Sequence, residues 1–398
     1  MENKHKVLIV ASVASMIDQF NIPNIDILLS LGYEVDVATN FLRGSTCSDE
    51  KIKSLLNLLD LKGVDCYQVD FDRNITNIKS ISKSIKQIDK IVLGKSETIN
   101  SNRHNSNSEY LFIHSHSPIG GVIARIIARK HHLKNIYTAH GFHFFTGAPL
   151  KNWILYYPVE RFLSHFTDVL ITINQEDFNR AKSHFHAKET IYIPGIGVDT
   201  KKFCKCAVSK DQKRNELGIP SNTFVLLSVG ELQKRKNQQL ILEALKKIQN
   251  DKIIYLCVGK GEEEDNYKKF VDDNKLINVR FLGFRSDINE LCIAADCFVH
   301  PSIREGLGIA PLEAMASGLP LISSYINGIR DYTSNRVTGF CIDPNSIDEM
   351  IDAINNMYLD ESFRKECGEN NKKIVKKFDL ENTNAIMYEL YKKMGEKK

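Results

Sequence analysis

Short runs rich in valine and isoleucine alternate with longer helical patterns along almost the whole chain. Such alternation is typical of parallel sheets built from βαβ units. The first half contains seven candidate strands, which are Lys6–Ser12, Glu34–Thr39, Cys66–Val69, Tyr110–His114, Asn135–Thr138, Val169–Ile173 and Thr190–Ile193. The pattern then starts again with six more, which are Phe224–Val229, Ile253–Val258, Val279–Leu282, Cys297–His300, Pro320–Ser323 and Gly339–Ile342. The sequence therefore predicts an α/β protein with two consecutive parallel sheets.

The two sets of strands are separated by residues 194–222, which are rich in glycine, proline and charge and show no apolar periodicity. Such a composition is typical of a junction between domains. We place the junction near residues 195–220 and predict one Rossmann-like domain over residues 1–200 and a second over residues 201–373. The C-terminal helical pattern, at about 374–398, either closes the second domain or crosses back to the first.

The composition excludes several classes of protein. The chain has 398 residues with 53 basic and 49 acidic side chains. The resulting net charge of +4 is too small to indicate a nucleic-acid-binding protein. No stretch approaches the ~18 apolar residues of a membrane-spanning helix, and no signal-peptide pattern opens the chain. Nine cysteines without a C-x-x-C pair indicate reduced thiols and no zinc site. We therefore expect a cytoplasmic protein.

The most informative segment is HPSIREGLGIAPLEAMASGLPLISS, which begins at His300. A strand ends near His300, Pro311 suits the first turn of a helix, and Gly318 suits its end. A loop that follows a strand of a parallel sheet lies at the carboxyl edge, where such sheets bind ligands. Gly306 and Gly308 allow a ligand to approach the backbone closely, and the first amides of the helix can bind a diphosphate.

Two carboxylates flank this loop, Glu305 before it and Glu313 in the expected first turn of the helix. A carboxylate that accepts hydrogen bonds from two vicinal hydroxyls is how Rossmann folds hold a ribose. One glutamate can then hold a nucleotide ribose and the other a second polyhydroxylated group. The alternative is structural, because the helix dipole favours an acid in the first turn without any ligand.

The run Glu305-Gly-Leu-Gly-Ile-Ala-Pro-Leu-Glu313, followed by Ala-Met-Ala-Ser-Gly318-Leu-Pro, closely resembles the E-x7-E signature of glycosyltransferase family 4. Members are retaining enzymes of the GT-B fold, in which two Rossmann-like domains face each other. The resemblance implies that Glu305 and a stretch of backbone hold the donor sugar and that Glu313 holds the ribose. That stretch of backbone is Gly306, Leu307, Gly308 and Ile309.

The resemblance extends to the loop after the first strand of the second domain, Gly230-Glu231-Leu-Gln-Lys-Arg235-Lys236. It is similar to the family's glycine-then-lysine loop, which implies that Lys236 binds the donor diphosphate. The family's usual arginine after the glycine is Glu231 here, and we expect Arg235 to supply the missing cation. Two cations beside a diphosphate stabilise the charge that builds on the departing nucleoside diphosphate. The alternative is a solvated basic turn.

In the first domain, the sequence TAHG, which ends at Gly141, follows a strand and looks like the family's His-Gly loop. The resemblance implies that the imidazole of His140 donates a hydrogen bond to the transferring sugar or to the acceptor. Histidines also occur as satisfied core residues, and this is the alternative for His140. For His114, His116 and His143 a core role is at least as good an interpretation.

One feature departs from the family pattern, and another matches a pattern of a different glycosyltransferase fold. Many members have a Gly-Gly pair after the first strand, whereas this chain has Ser12-Val-Ala-Ser15-Met-Ile-Asp18, which puts donor contacts from this loop in doubt. Asp70-Phe-Asp72 spells a D-x-D pattern that binds a metal in another glycosyltransferase fold, but it has no companion ligands, and we interpret it as a surface turn. The GT-B resemblance implies no metal and no cofactor, since lysine and arginine take the place of the cation.

Within the family, residues 6–40 and the TAHGFHFF loop look like bacterial capsule and exopolysaccharide enzymes. The likeness implies a UDP-linked donor, such as UDP-N-acetylhexosamine or UDP-hexose. It also implies an acceptor that is a saccharide or is carried on undecaprenyl diphosphate, at the cytoplasmic face of the inner membrane.

Two segments have a structural and a membrane-related interpretation. Lys79–Glu109 carries several lysines and then a Ser/Asn run, and its structural interpretation is a solvated helix with a mobile loop. Phe142–Tyr157 combines aromatic side chains with Lys151 and the only tryptophan, Trp153, and its structural interpretation is core packing. Both segments have the alternative of a peripheral contact with anionic lipid or with a lipid-linked acceptor.

Three rival functions fit parts of the sequence. A UDP-sugar 2-epimerase or a sugar phosphorylase shares the GT-B architecture. A nicotinamide oxidoreductase is also doubly wound, but no G-x-G-x-x-G follows Lys6–Ser12. A non-catalytic partner subunit keeps the fold without the site, but Glu305, Glu313 and Lys236 are all present. The sequence therefore favours metal-independent transfer of a hexosyl unit, with retention at the anomeric carbon.

Overall fold

The parallel strands form two sheets, one in each of two units into which the chain divides. The computed structural model describes residues 5–43, 47–72, 77–100 and 109–396. The first unit comprises Met1–Ile196 together with Thr383–Lys398, and the second comprises Gly197–Asn382. The C-terminal residues are thus part of the first unit.

The first unit is built on a sheet of seven parallel strands in the order β3-β2-β1-β4-β5-β6-β7. The strand order reverses next to β1, so β1 and β4 flank the switch point of this sheet. The strands are β1 (Lys6–Val10), β2 (Glu34–Thr39), β3 (Asp65–Gln68), β4 (Tyr110–His116), β5 (Lys134–Ala139), β6 (Val169–Thr172) and β7 (Glu189–Tyr192). Central strands such as β1 are buried along nearly their whole length, as expected when helices cover both faces.

Nine described helices belong to this unit. They are α1 (Ala14–Phe20), α2 (Ile22–Ser30), α3 (Asp49–Leu61), α4 (Ile78–Val92), α5 (Pro118–Lys130), α6 (Leu150–Leu155), α7 (Tyr157–Ser164), α8 (Gln175–His184) and α17 (Leu380–Gly395), the last of which starts at the end of the second unit. Tyr391 attaches α17 to the first sheet. Its ring stacks on Phe112 with a centroid separation of 6.0 Å, and its hydroxyl lies 2.7 Å from Nδ1 of His114.

The second unit is built on six parallel strands in the order β10-β9-β8-β11-β12-β13, which is the strand order of a Rossmann fold. They are β8 (Phe224–Val229), β9 (Ile253–Val258), β10 (Val279–Gly283), β11 (Cys297–His300), β12 (Leu321–Ser324) and β13 (Gly339–Ile342). The helices are α9 (Thr200–Cys204), α10 (Lys210–Glu216), α11 (Gln238–Ile248), α12 (Glu264–Asp273), α13 (Ile288–Ala294), α14 (Ile309–Ala316), α15 (Ile347–Leu359) and α16 (Glu361–Ile374). Short 3-10 turns occupy Lys234–Lys236, Asn327–Asp331 and Val375–Phe378.

All thirteen predicted strands are present among the described residues, with ends within two residues of the prediction. The first strand is shorter than predicted because the chain leaves the sheet after Val10 and enters α1 at Ala14. Within the described residues, no helix is both long and apolar enough to cross a membrane. The Ser/Asn run for which we expect a loop, residues 101–108, lies outside the described residues.

A buried ion pair fixes α7 to α5 in the first unit. Arg125 is only 1% exposed, and its Nη2 lies 2.8 Å from Oε2 of Glu160. The hydroxyl of Tyr137 donates to the other carboxylate oxygen at 3.1 Å, and Nε of Arg125 donates to the carbonyl of Gly121 at 2.9 Å. Because both charges are buried, loss of either partner leaves the other charge without compensation.

Glu160→Ala should therefore lower the free energy of unfolding of the first unit by about 3–5 kcal/mol. The only tryptophan, Trp153, lies in this unit, so its fluorescence during urea denaturation measures the change. Lys393→Ala is the control, because it breaks an exposed pair with Glu189 and should cost less than about 1 kcal/mol. Equal losses in the two variants would contradict this account.

Candidate active site

The switch points of the sheets select the loops in which a ligand site is expected. Open parallel sheets bind ligands at the carboxyl edge, where the strand order reverses. In the second unit this point lies between β8 and β11, and the loops after these two strands carry Lys236 and Glu305. The fold thus brings together two predicted site residues that are 69 positions apart in the sequence.

The loop after β8 is clamped in place directly behind Lys236. Asn237 follows the 3-10 turn with a left-handed φ of 59°, which asparagine adopts more readily than most residues. Its side-chain amide donates to the carbonyl of Pro301 at 3.2 Å and to that of Pro344 at 2.8 Å. The position of Lys236 is therefore set by contacts with the loops after β11 and β13.

Glu305 is the centre of a compact charged cluster. Its Oε2 forms a short ion pair with Nζ of Lys236 and lies 3.7 Å from Nη1 of Arg235 and 3.5 Å from Nε2 of His300. Burial acts to raise the pKa of Glu305, but the charge of Lys236 and the hydrogen bond from His300 outweigh it and hold the pKa well below its usual range. Burial also lowers the pKa of His300. At neutral pH the cluster therefore contains one carboxylate and two cations.

Arg235 is the more open of the two cations. Its side chain is 35% exposed, against 13% for Lys236, and its Nε donates to Oε1 of Gln233 at 3.0 Å. The structure places Arg235 in the same cluster as Lys236. That Arg235 takes the role of the arginine which the family has at the position of Glu231 stays a prediction.

The backbone Gly306–Ile309 makes a tight entry into α14. Gly308 precedes the helix with a φ of +86°, and a Cβ on it would lie 3.1 Å from Cγ of Glu305, so this position requires glycine. The hydroxyl of Tyr332 donates to the carbonyl of Leu307 at 2.8 Å and fixes the loop from the other side. The first amides of α14 have no acceptor within the helix, which gives this end a partial positive charge.

The predicted position of Glu313 in the first turn is wrong. Because Gly308 is the N-cap, α14 begins at Ile309 and Glu313 is its fifth residue, and the first turn contains no acid. The helix dipole acts mainly within the first turn, so it does not account for a carboxylate here. Burial raises the pKa of Glu313 to about 7, against a small opposing effect of Lys202.

His140 lies in the first unit, at the end of β5 as predicted. Its Nε2 lies 3.0 Å from Nδ1 of His116, the last residue of β4, and its ring contacts Phe20 at a centroid separation of 5.4 Å. Burial lowers the pKa of His140 to about 4, and the pKa of His116 is lowered well below its usual range. Both rings are therefore neutral at pH 7. Nε2 of His116 is buried without a hydrogen-bond partner.

The departure from the family pattern and the D-x-D pattern both lie in the first unit. After β1 the amide of Ser12 donates to Oγ of Ser117 at 3.3 Å, so small side chains stand where many members have glycines. Asp70 forms an ion pair with Lys83 at 2.7 Å, as a surface turn would. Over the ranges that the structure describes, no group of three or more His, Cys, Asp or Glu is placed to hold a metal ion.

Three functional candidates were missed by sequence reasoning. His300 contacts Glu305, and its place at the end of β11, five residues before Glu305, was a signal that could have found it. Tyr332 comes from a separate 3-10 turn, and no local pattern predicts its contact with the loop. For His116 a core role was given at least equal weight, although β4 and β5 are neighbours and both end beside the His-Gly loop.

Comparison with known proteins decides the family. A sequence model for glycosyl transferases group 1 matches residues 209–374. EpsD of Bacillus subtilis (strain 168), which is named as a glycosyltransferase, is 33% identical over 397 residues, covering 97% of this chain and 96% of EpsD. The chain belongs to the group 1 glycosyltransferases. The enzyme class predicted from the E-x7-E signature is confirmed, and the alternative of a UDP-sugar 2-epimerase is not favoured.

A further relative and a solved structure agree with this family assignment and with the predicted fold. The UDP-Gal:alpha-D-GlcNAc-diphosphoundecaprenol alpha-1,3-galactosyltransferase of Escherichia coli is 34% identical over 254 residues, which are 62% of this chain and 66% of that protein. The crystal structure of Anabaena Alr3699/HepE with UDP and glucose superposes with a TM-score of 0.75 at 19% identity, covering 98% of this chain and 100% of that one. The predicted α/β, GT-B fold with two parallel-sheet domains is therefore confirmed.

The pKa values of Glu305 and Glu313 should be shifted in opposite directions from that of an exposed glutamate. With 13C-labelled glutamate, NMR should show one buried carboxyl with a midpoint near pH 7, which disappears in Glu313→Gln. The Glu305 carboxyl should stay ionised through the acidic range, and its pKa should rise in Lys236→Met because the largest opposing charge is gone. A Glu313 midpoint in the normal range of an exposed glutamate would contradict the burial argument.

Proposed function

We propose that this glycosyltransferase moves a hexosyl unit from a UDP-sugar to a saccharide carried on undecaprenyl diphosphate, with retention and without a metal. The reaction would take place at the cytoplasmic face of the membrane, in the synthesis of a bacterial capsule or exopolysaccharide. The name of the E. coli relative, which is 34% identical to part of this chain, specifies a UDP-sugar donor and a diphosphoundecaprenol acceptor. That relative supports both substrate classes.

The observation that carries the proposal is the cluster of Lys236, Arg235 and Glu305 beside the start of α14. Two cations and one buried carboxylate leave a surplus positive charge at the carboxyl edge of the sheet. The exposed amides of the helix start add partial positive charge at the same edge. A diphosphate is the part of a nucleotide sugar that this arrangement would bind.

Each part of the nucleotide sugar is assigned to residues of this site. Lys236 and Arg235 would bind the diphosphate and neutralise the charge that develops on it as the nucleotide leaves. Glu305, kept ionised by its cations, would accept hydrogen bonds from the sugar hydroxyls, and the backbone Gly306–Ile309 would bind the sugar alongside it. Glu313 would hold the ribose, with its raised pKa making that contact dependent on pH near neutrality.

The chemistry requires no covalent intermediate with the protein. The acceptor hydroxyl oxygen forms a bond to the anomeric carbon on the face from which the UDP departs. The bond from that carbon to the β-phosphate oxygen breaks, and the hydroxyl proton passes to the leaving phosphate. This same-face attack retains the anomeric configuration, and Lys236 and Arg235 supply the positive charge for which other glycosyltransferases use a metal.

His140 is proposed to hydrogen-bond the transferring sugar or the acceptor. Because His140 is neutral at pH 7, its Nδ1 is either a donor or an acceptor, according to which nitrogen carries the proton. The hydrogen bond between Nε2 of His140 and Nδ1 of His116 couples the tautomers of the two rings, because one ring must donate and the other must accept. His116 is thus a positioning residue for His140.

A screen of nucleotide sugars by thermal shift and by product analysis tests the proposal. A UDP-sugar should stabilise the protein and be turned over only with an acceptor, and EDTA should leave the turnover unchanged. Lys236→Met should weaken binding of the UDP-sugar by roughly 10–100-fold, because a charge-assisted hydrogen bond to the diphosphate is lost. Lys234→Met is the matched control, since Lys234 lies in the same turn but is 83% exposed and should leave binding unchanged.

Three outcomes would overturn the proposal. If no nucleotide sugar stabilises the protein, or if the two lysine variants bind it equally, the donor site is assigned wrongly. If EDTA abolishes turnover, the metal-free mechanism fails.

A further inference from the structure

Helices α6 and α7 of the first unit expose an unusual set of large apolar side chains. Leu150 is 73% exposed, Ile154 69% and Phe162 62%. Leu155 and Val159 are 46% and 44% exposed. These five residues are called the apolar face below. Clustered exposed apolar side chains on a folded protein mark a surface that meets a partner or a membrane.

The geometry of the two helices places these side chains on the outside. Leu150 and Ile154 are four positions apart on α6, so they lie on one side of that helix. On α7 the opposite side is buried through Glu160 and Leu163, which leaves Phe162 outward. The helix pair is held rigidly from beneath, since Glu160 forms the buried pair with Arg125. The apolar face is therefore a fixed feature of the folded unit.

The exposed charged side chains that α6 and α7 carry have one sign. Glu160 is the only acidic residue from Phe142 to Phe166, and it is buried beneath the face. Lys151 and Arg161, by contrast, are exposed on these helices. A third cation lies at the far end, where the guanidinium of Arg129 stacks on Phe166 at 3.9 Å and Phe166 contacts Phe162 at 5.3 Å.

We infer that the apolar face is a docking surface for an anionic lipid bilayer. Apolar side chains at helix surfaces enter the boundary between headgroups and acyl chains, while flanking lysine and arginine bind anionic headgroups. Charge decides against a second copy of this chain, because a two-fold contact through this face would bring two sets of Lys151 and Arg161 together, and α6 and α7 carry no exposed acid to compensate. The inference rests on the proposed function, in which the acceptor is anchored in a membrane.

Co-sedimentation of the full chain with vesicles tests the inference. The wild-type protein should bind phosphatidylcholine vesicles that contain phosphatidylglycerol and bind pure phosphatidylcholine vesicles far less. Ile154→Glu with Phe162→Glu should abolish binding, and Lys151→Ala with Arg161→Ala should weaken it by roughly 5–30-fold. Binding should also shift the fluorescence of Trp153, which lies in α6.

Leu61→Glu with Ile78→Glu is the matched control. These two apolar side chains are 86% and 78% exposed in the same unit but lie outside the apolar face, so the control should bind vesicles like the wild type. All variants should bind UDP normally and unfold at the wild-type temperature, which separates a loss of docking from a loss of folding.

Several results would overturn the inference. They are a wild-type protein that does not bind anionic vesicles, a control variant that loses binding as fully as Ile154→Glu with Phe162→Glu, and a dimer in sedimentation velocity that this double variant dissociates. Failure of the proposed function would look different, because vesicle binding would persist in a protein that transfers no sugar from any nucleotide donor.

Discussion

The candidate site of the second unit depends on the ion pair between Glu305 and Lys236. A buried carboxylate is stable in its charged form only when cations and hydrogen bonds compensate for lost hydration. Lys236 and His300 supply that compensation, the first from the loop after β8 and the second from the end of the neighbouring strand β11. The pair therefore joins the two loops at the switch point and holds Lys236 in the place that we propose for the donor diphosphate.

Environment separates the roles of residues that are chemically alike. Glu305 and Glu313 are eight positions apart, yet cations keep the first ionised, whereas burial raises the pKa of the second to about 7. In the first unit, burial keeps His140 and His116 neutral, so their hydrogen bond is a matter of tautomer and not of charge. The second unit thus contains a carboxylate that stays charged and a carboxylate whose pKa lies near neutrality, and the first unit contains neutral imidazoles.

The sequence predicts the strands and the loops well, because buried parallel strands are continuous apolar runs and because glycine marks tight turns. Gly318 follows the end of α14 as expected, with a φ of +81°. The turn that holds Glu313 was predicted wrongly, since the position of the N-cap depends on backbone dihedral angles that several residues near Gly308 could adopt. The contact of Tyr332 with the loop could not be predicted from local pattern, because it depends on how a turn that is distant in the sequence packs.

The most direct test of the central claim is a calorimetric titration of the wild-type protein with UDP, UMP and uridine. If Lys236, Arg235 and the start of α14 bind the diphosphate, UDP should bind roughly 10–100-fold more tightly than UMP, and uridine should bind most weakly. Equal affinities for UDP and uridine would show that the charged cluster around Glu305 does not bind the diphosphate.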